Sequence, residues 1–97
     1  MKDEQTFKLI DGNFSASESL EILSSVFSSK IQFHQMKNFS SQERFGHDDE
    51  VAVIRIPQLK NSLEEIVKLI ASIEKEDQRL EIKSDIVVHF VPTSKYV

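Results

Sequence analysis

The sequence predicts a single α+β domain over residues 1–97, in which two long antiparallel helices, a helical hairpin, pack on a small antiparallel sheet in the order β-α-α-β. Two patterns predict this class. Apolar and polar residues alternate near both ends of the chain, as in half-buried strands, whereas apolar residues in the middle recur three and four positions apart, as in amphipathic helices. A chain of this length forms one domain with a modest hydrophobic core. Small domains of this kind often gain stability by associating into oligomers.

The first strand is predicted at residues 6–10, where Phe7 and Leu9 alternate with polar residues. Residues 11–13, Asp-Gly-Asn, predict a turn, because glycine accepts a positive φ and Asx side chains bond nearby backbone groups. We therefore expect the chain to leave the sheet directly after residue 10.

The first helix is predicted to begin after Ser15, because Ser15 and Glu18 fit a capping box in which each side chain satisfies a backbone N–H of the other. It is expected to end near residues 40–43, before Gly46, since glycine suits the left-handed position that ends many helices. Two apolar stripes run along roughly opposite sides of the helix, which predicts burial by the rest of the fold on one side and by a partner chain on the other. The first stripe comprises Leu20, Leu23, Phe27, Ile31 and His34, and the second comprises Ile22, Val26, Phe33 and Met36.

The second helix is predicted from an apolar seam of the kind that packs along another helix. Pro57 lies within this seam, where proline removes a backbone hydrogen bond and clashes with the preceding turn. We favour one long helix that is kinked near Pro57; the alternative is an extended segment at residues 51–56, with Pro57 near the helix start. In that alternative, Ser62 and Glu65 would form a second capping box. The seam comprises Val53, Ile56, Leu59, Leu63, Ile66, Ile70 and Ile73.

The last strand is predicted from apolar residues at even positions, namely Leu80, Ile82, Ile86, Val88 and Phe90. A bulge is expected at Ser84-Asp85, and pairing is expected to lapse at Pro92, which has no N–H to donate. This strand is much longer than the first, so part of it is expected to lack a partner strand within the chain. Because a free strand edge invites pairing with another chain, this edge and the second apolar stripe together predict a homodimer.

The composition argues against several classes of function. The chain has no cysteine, which removes disulfides, thiolate nucleophiles and cysteine-based zinc sites. Its net charge of −4 opposes the phosphate neutralisation on which non-specific nucleic-acid binding depends. Its two glycines form no phosphate-binding loop, so no cofactor is expected. Neither a signal peptide nor an apolar run of about 20 residues is found, so we expect a cytoplasmic protein without a membrane span.

The block KIQFHQMKNFSSQERFG, with the preceding DGNFSASESLEIL, resembles a segment of a family of small uncharacterised bacterial proteins of similar length. The resemblance covers about the first half of the chain. It implies a bacterial protein of unknown function, and it implies no site residues.

The most unusual composition lies at the end of the first helix, where cations flank hydroxyl and amide groups and two phenylalanines. This segment is a candidate anion site or a partner-binding tip of the hairpin. Alternatively, it is an ordinary helix end in which both phenylalanines close the core. The candidate binding residues are Lys37, Phe39, Ser41, Arg44 and Phe45.

A metal site is weakly indicated by His47, Asp48, Asp49 and Glu50, because imidazole and carboxylates are ligands for zinc or manganese. Consecutive residues cannot all face one ion, so we expect instead a solvated loop whose aspartates cap the second helix. Elsewhere, His34 is expected to be a core histidine that is hydrogen-bonded to a carbonyl or a carboxylate.

No catalytic constellation is found, since no nucleophile can be placed beside His34 or His47, and a non-enzymatic role is favoured over a small enzyme. We predict a non-catalytic protein–protein interaction module that self-associates and presents its hairpin tip or sheet edge to another protein. The alternatives are a small metal- or anion-binding protein and a nucleic-acid-associated accessory protein. The latter requires that Lys30, Lys37 and Arg44 converge on one face, with Lys8 as an optional fourth cation.

Overall fold

The structure, a computed structural model, describes residues 4–73 and 77–93. Its elements follow in the order β1 (Glu4–Phe14), α1 (Ala16–Phe45), α2 (Glu50–Ile73) and β2 (Leu80–His89). The two helices form the hairpin, and the two strands pair antiparallel. The predicted α+β class and the order β-α-α-β are thus confirmed.

Strand β1 is longer than the sequence predicts, and the turn predicted at residues 11–13 is wrong. Gly12 pairs with Ile82 and Asn13 with Glu81, so these residues continue the ladder to Phe14. Gly12 has no positive φ, and a Cβ added there would make a tight contact of 3.3 Å with the Phe14 ring. The paired strands therefore match in length, and the prediction that part of β2 lacks a partner within the chain is also wrong.

The ladder contains one irregularity, between the pairs Lys8–Asp85 and Ile10–Ser84. The extra residue is Leu9, so the bulge predicted at Ser84-Asp85 lies at the predicted level but on the other strand. Strand β2 ends at His89, and pairing has lapsed before Pro92, as expected for a residue without an N–H.

The bulge keeps most of the apolar residues of the two strands on one face, because residues opposite each other in a ladder project to the same side. We call this uncharged surface the sheet face. It comprises Gln5, Phe7, Ile10, Gly12 and Phe14 of β1 and Leu80, Ile82, Ser84, Ile86 and Val88 of β2. The charged residues of both strands project to the opposite side. They are Glu4, Lys8 and Asp11 of β1 and Glu81, Lys83 and Asp85 of β2.

Helix α1 has both predicted end signals. The Ser15 hydroxyl accepts a hydrogen bond from the Glu18 N–H at 3.1 Å, and the Glu18 carboxylate accepts one from the Ser15 N–H at 2.9 Å. Those Ser15 hydrogen bonds lower the pKa of Glu18, and the nearby Arg79 guanidinium lowers it further. At the other end the helix continues past residues 40–43 to Phe45, because Gly46, with a φ of 73°, is the first residue to adopt the left-handed conformation.

Helix α2 is continuous through Pro57, which confirms the single long helix over the extended segment at residues 51–56. Its start is capped as predicted by Asp49, whose carboxylate accepts a hydrogen bond from the Ala52 N–H at 2.9 Å. Ser62 lies in the middle of the helix and caps nothing there. The small core lies between the two helices, with Ile31 and His34 of α1 and Ala52, Leu59 and Ile70 of α2 buried.

The sheet lies beside the hairpin rather than across it. Both strands meet α1, but within the described residues no Cα of α2 lies within 8 Å of a strand Cα. The radius of gyration is 17.3 Å, whereas a compact domain of this length has about 13 Å. The Cα atoms span 52 × 40 × 14 Å. The chain is therefore flat and extended.

None of the described helices is long and apolar enough to cross a bilayer.

Candidate functional site

The hairpin tip, where α1 passes into α2, is held by polar side chains, of which Ser41 is one of the candidate binding residues. The Ser41 hydroxyl donates to the backbone carbonyl of His47 at 2.9 Å. The Gln42 amide donates to the Asp48 carboxylate at 2.6 Å. Ser41 therefore closes the loop, and its hydroxyl is not directed at a free anion site.

Both phenylalanines of the candidate segment are exposed, so the alternative in which they close the core is wrong. Phe45 is 66% exposed and stacks on the His47 ring, with centroids 5.8 Å apart. Phe39 is 62% exposed. Two residues of α-helix correspond to a rotation of about 200°, so Phe39 projects to the side of α1 opposite Lys37 and the five candidate residues do not form one site.

The residues proposed for metal binding have other roles. Asp49 caps α2, Asp48 accepts the Gln42 hydrogen bond, and the His47 ring lies 3.0 Å from the Asp48 carbonyl oxygen. Over residues 4–73 and 77–93, no group of three or more His, Asp or Glu side chains is placed to hold a metal ion. The loop prediction, in which an aspartate caps the second helix, is confirmed for Asp49.

His34 is buried as predicted, but the expected hydrogen bond is not found. Neither ring nitrogen has a partner among the described residues. Burial lowers the pKa of His34, and the Lys30 and Arg55 cations lower it further. Asp49 acts in the opposite direction, and Lys37 adds a small lowering effect. The charged form of the imidazole is therefore disfavoured in the hairpin core.

A cationic row lies along one edge of α1. Lys30, Lys37 and Arg44 are seven residues apart, which places them on one side of the helix. The ammonium groups of Lys30 and Lys37 lie 4.7 and 5.9 Å from the Phe33 ring centroid. Among the described residues, none of the three forms a salt bridge. Lys8, the fourth cation considered, is on the sheet and pairs with Asp11 at 3.2 Å, so it does not join the row.

Beside this row lies the second apolar stripe of α1, which we call the outer seam, formed by Ile22, Val26, Phe33 and Met36. Phe33 is 50% and Met36 65% exposed. A shallow groove on this surface is lined by Ser25, Val26, Ser29, Lys30 and Phe33. The outer seam faces away from the core between the helices, as the two-stripe pattern predicted.

The sheet face is the larger surface that sequence reasoning did not single out. Its distal half is open: Phe7 is 53%, Ile86 45% and Val88 44% exposed. The half nearer the helices, which begins at the pair Phe14 and Leu80, is partly buried. The alternation of apolar and polar residues predicted an apolar face, and we expected the helical hairpin to cover it. The pattern could not show that the hairpin leaves the distal half of this face exposed.

Comparison of the chain with protein-family models, with curated proteins and with solved structures found no match. The surfaces described above are therefore the basis of the functional inference.

Proposed function

We propose that this chain is a non-catalytic protein–protein interaction module that self-associates as a homodimer. The observation that carries the proposal is the open sheet face, a ten-residue ladder whose apolar side no described helix covers along its distal half. A sheet of two strands is marginal in water unless its apolar face packs on another element. The second copy supplies that element.

The remaining apolar surface supports the same proposal. The core between the helices is small, whereas side chains of Phe33, Met36, Phe45 and Leu69 remain more than a third exposed on the hairpin. Large apolar surfaces of this kind on a folded chain mark interaction sites. No described group combines a nucleophile, an acid–base partner and a cleft, so the proposal assigns no catalytic role.

The proposal is tested by comparing Ile86→Lys with Val87→Lys, two β-branched residues that are neighbours in β2 and project to opposite faces. Both are exposed in the single chain, so both substitutions have a similar effect on the strand itself. Light scattering should show a dimer for Val87→Lys and a monomer for Ile86→Lys. Equal masses for the two variants would contradict association through the sheet face.

A second candidate function, a nucleic-acid-associated accessory protein, is favoured by the cationic row alone. Its three cations span about 21 Å of helix, which is enough to reach several phosphates. Anisotropy of a labelled single-stranded oligonucleotide tests this candidate. It predicts binding that weakens steeply with added salt and that is lost when Lys37 and Arg44 are both changed to Ala. Absence of binding at low salt would exclude it.

A further inference from the structure

Two apolar surfaces remain uncovered in one chain: the sheet face and the outer seam of α1. A homodimer can cover them in three ways. The sheet face can meet the sheet face, the outer seam can meet the outer seam, or the sheet face of each protomer can meet the outer seam of its partner. Interface area and charge discriminate among these arrangements.

The first discriminating quantity is the buried area. Two strands of ten residues present a face of about 34 by 10 Å, so one sheet stacked on another buries about 700 Å² in total. That is the size of a crystal-packing contact, whereas stable interfaces bury about 1,200–2,000 Å². Two sheet-on-helix interfaces related by a two-fold axis bury about 840 Å², because the outer seam, about 21 Å long, limits each of them to about 420 Å². This is the largest area of the three arrangements and the one that exceeds the roughly 800 Å² typical of crystal contacts.

The second quantity is charge. The outer seam has heptad spacing, and Lys30, Lys37 and Arg44 lie on one flank of it from residue 30 onwards. Two antiparallel copies of α1 would bring these like-charged flanks together. Two parallel copies would set them against the opposite flank, where Ser25, Gln32 and Phe39 are uncharged. The carboxylates of that flank, Glu18 and Glu43, lie towards the ends of α1, away from the level of Lys30 and Lys37. Pairing of seam with seam therefore gives Lys30 and Lys37 either repulsion or no carboxylate partner.

The sheet face does not have this conflict. All of its side chains are uncharged, so it can cover the seam without facing the cations with like charge. The other side of the same sheet carries Glu4, Asp11, Glu81 and Asp85 against only Lys8 and Lys83, which makes the sheet acidic as a whole. The long-range field of the sheet thus attracts the cationic row of α1.

Shape agrees with charge. From Ile22 to Met36 the outer seam is about 21 Å long, which a sheet of about 34 Å can cover fully. The groove at Ser25 and Ser29 offers a depression beside Phe33, and the sheet face offers the projecting, half-exposed rings and branched side chains of Phe7 and Ile86.

From these observations we infer that, in the homodimer, the sheet face of each protomer packs on the outer seam of α1 of its partner. Each copy thereby completes the two-layer α/β core of the other, which one chain cannot do because its own sheet lies beside its hairpin. The inference rests on the proposed self-association and names the surfaces that meet.

The natural absence of cysteine allows a direct test by cross-linking. Phe33→Cys marks the outer seam and Ile86→Cys the sheet face, and an affinity tag on one chain distinguishes the two. The mixed variants are treated with a short bismaleimide reagent. We expect an efficient link between Phe33→Cys and Ile86→Cys, and little link in either variant alone. Val87→Cys, on the opposite face of β2, is the matched control and should not link to Phe33→Cys.

The other outcomes are equally decisive. Links only within Phe33→Cys, or only within Ile86→Cys, would overturn the inferred arrangement in favour of seam-on-seam or sheet-on-sheet pairing. A dimeric mass with no link in any mixture would overturn the arrangement and leave self-association standing. A monomeric mass of the unsubstituted chain would overturn both. A second pair, Val26→Cys with Phe7→Cys, repeats the test if either first variant does not fold.

Discussion

The side-chain oxygen of Asn38 accepts a hydrogen bond from the backbone N–H of Asp49 at 2.7 Å. This bond joins the last turns of α1 to the first residue before α2, and the same Asp49 caps α2 through its carboxylate. One polar pair therefore fixes both the entry to α2 and its distance from α1.

Asn38→Ala is expected to lower the free energy of unfolding by about 1 kcal/mol, because the partly buried Asp49 N–H loses its acceptor. The measurement is urea unfolding at a fixed protein concentration, since association makes stability depend on concentration. Gln42→Ala is the control, because its bond to Asp48 is exposed and is expected to contribute less. An Asn38→Ala effect no larger than that of Gln42→Ala would contradict this role.

Ile70 and Leu69 are neighbours in α2 with opposite environments, 3% and 60% exposed respectively. Ile70→Ala is expected to cost about 2–5 kcal/mol, because it leaves a cavity in the small core between the helices. Leu69→Ala is expected to change stability by less than about 1 kcal/mol, as at other surface positions. Equal losses in thermal or urea unfolding would mean that Leu69 is covered in the assembled protein.

His34 is expected to make stability depend on pH. Its pKa is lowered in the folded chain, so the unfolded chain binds the proton first as the pH falls below about 6.5. Stability should therefore be full above that pH, should decrease as the pH falls towards the folded pKa, and should level off below it. The facing charges are Lys30, Lys37 and Arg55, opposed by Asp49.

His34→Leu tests this dependence, because it removes the titrating group and the two unpartnered nitrogens together. Unfolding midpoints between pH 7.5 and 5 should vary less in this variant than in the unsubstituted chain. This pH range spans the ordinary histidine pKa of about 6.5. His89→Gln, at an exposed residue 3.6 Å from Glu4, is the control and should retain the dependence. Parallel pH profiles for His34→Leu and the unsubstituted chain would contradict the assignment.

The sequence predicted features that depend on chemistry within a few residues. The Ser15–Glu18 capping box, the left-handed Gly46 and the Asp49 cap all act over one helical turn, and all three are confirmed. The length of β1 was not predicted, because the local turn chemistry of Gly12 and Asn13 was overridden by pairing with Ile82 and Glu81 far along the chain. Tertiary pairing routinely overrides a local preference of this kind.

The candidate site was predicted less well, for the same physical reason. Lys37 and Arg44 could be placed on one helix face from spacing alone, but whether Phe39 and Phe45 would be covered depended on where α2 and the sheet lie. The outer seam of α1 was predicted from its own period. The exposure of Phe7, Ile86 and Val88 could not be predicted, because it depends on the position of the sheet beside the hairpin. No local sequence pattern encodes that position.

Sedimentation equilibrium of the unsubstituted chain, across a wide range of protein concentration, tests self-association most directly. The account predicts twice the chain mass of 11.2 kDa, with dissociation only on strong dilution. A mass of 11.2 kDa at every concentration would contradict it, and would mean that one chain is stable with its sheet face uncovered.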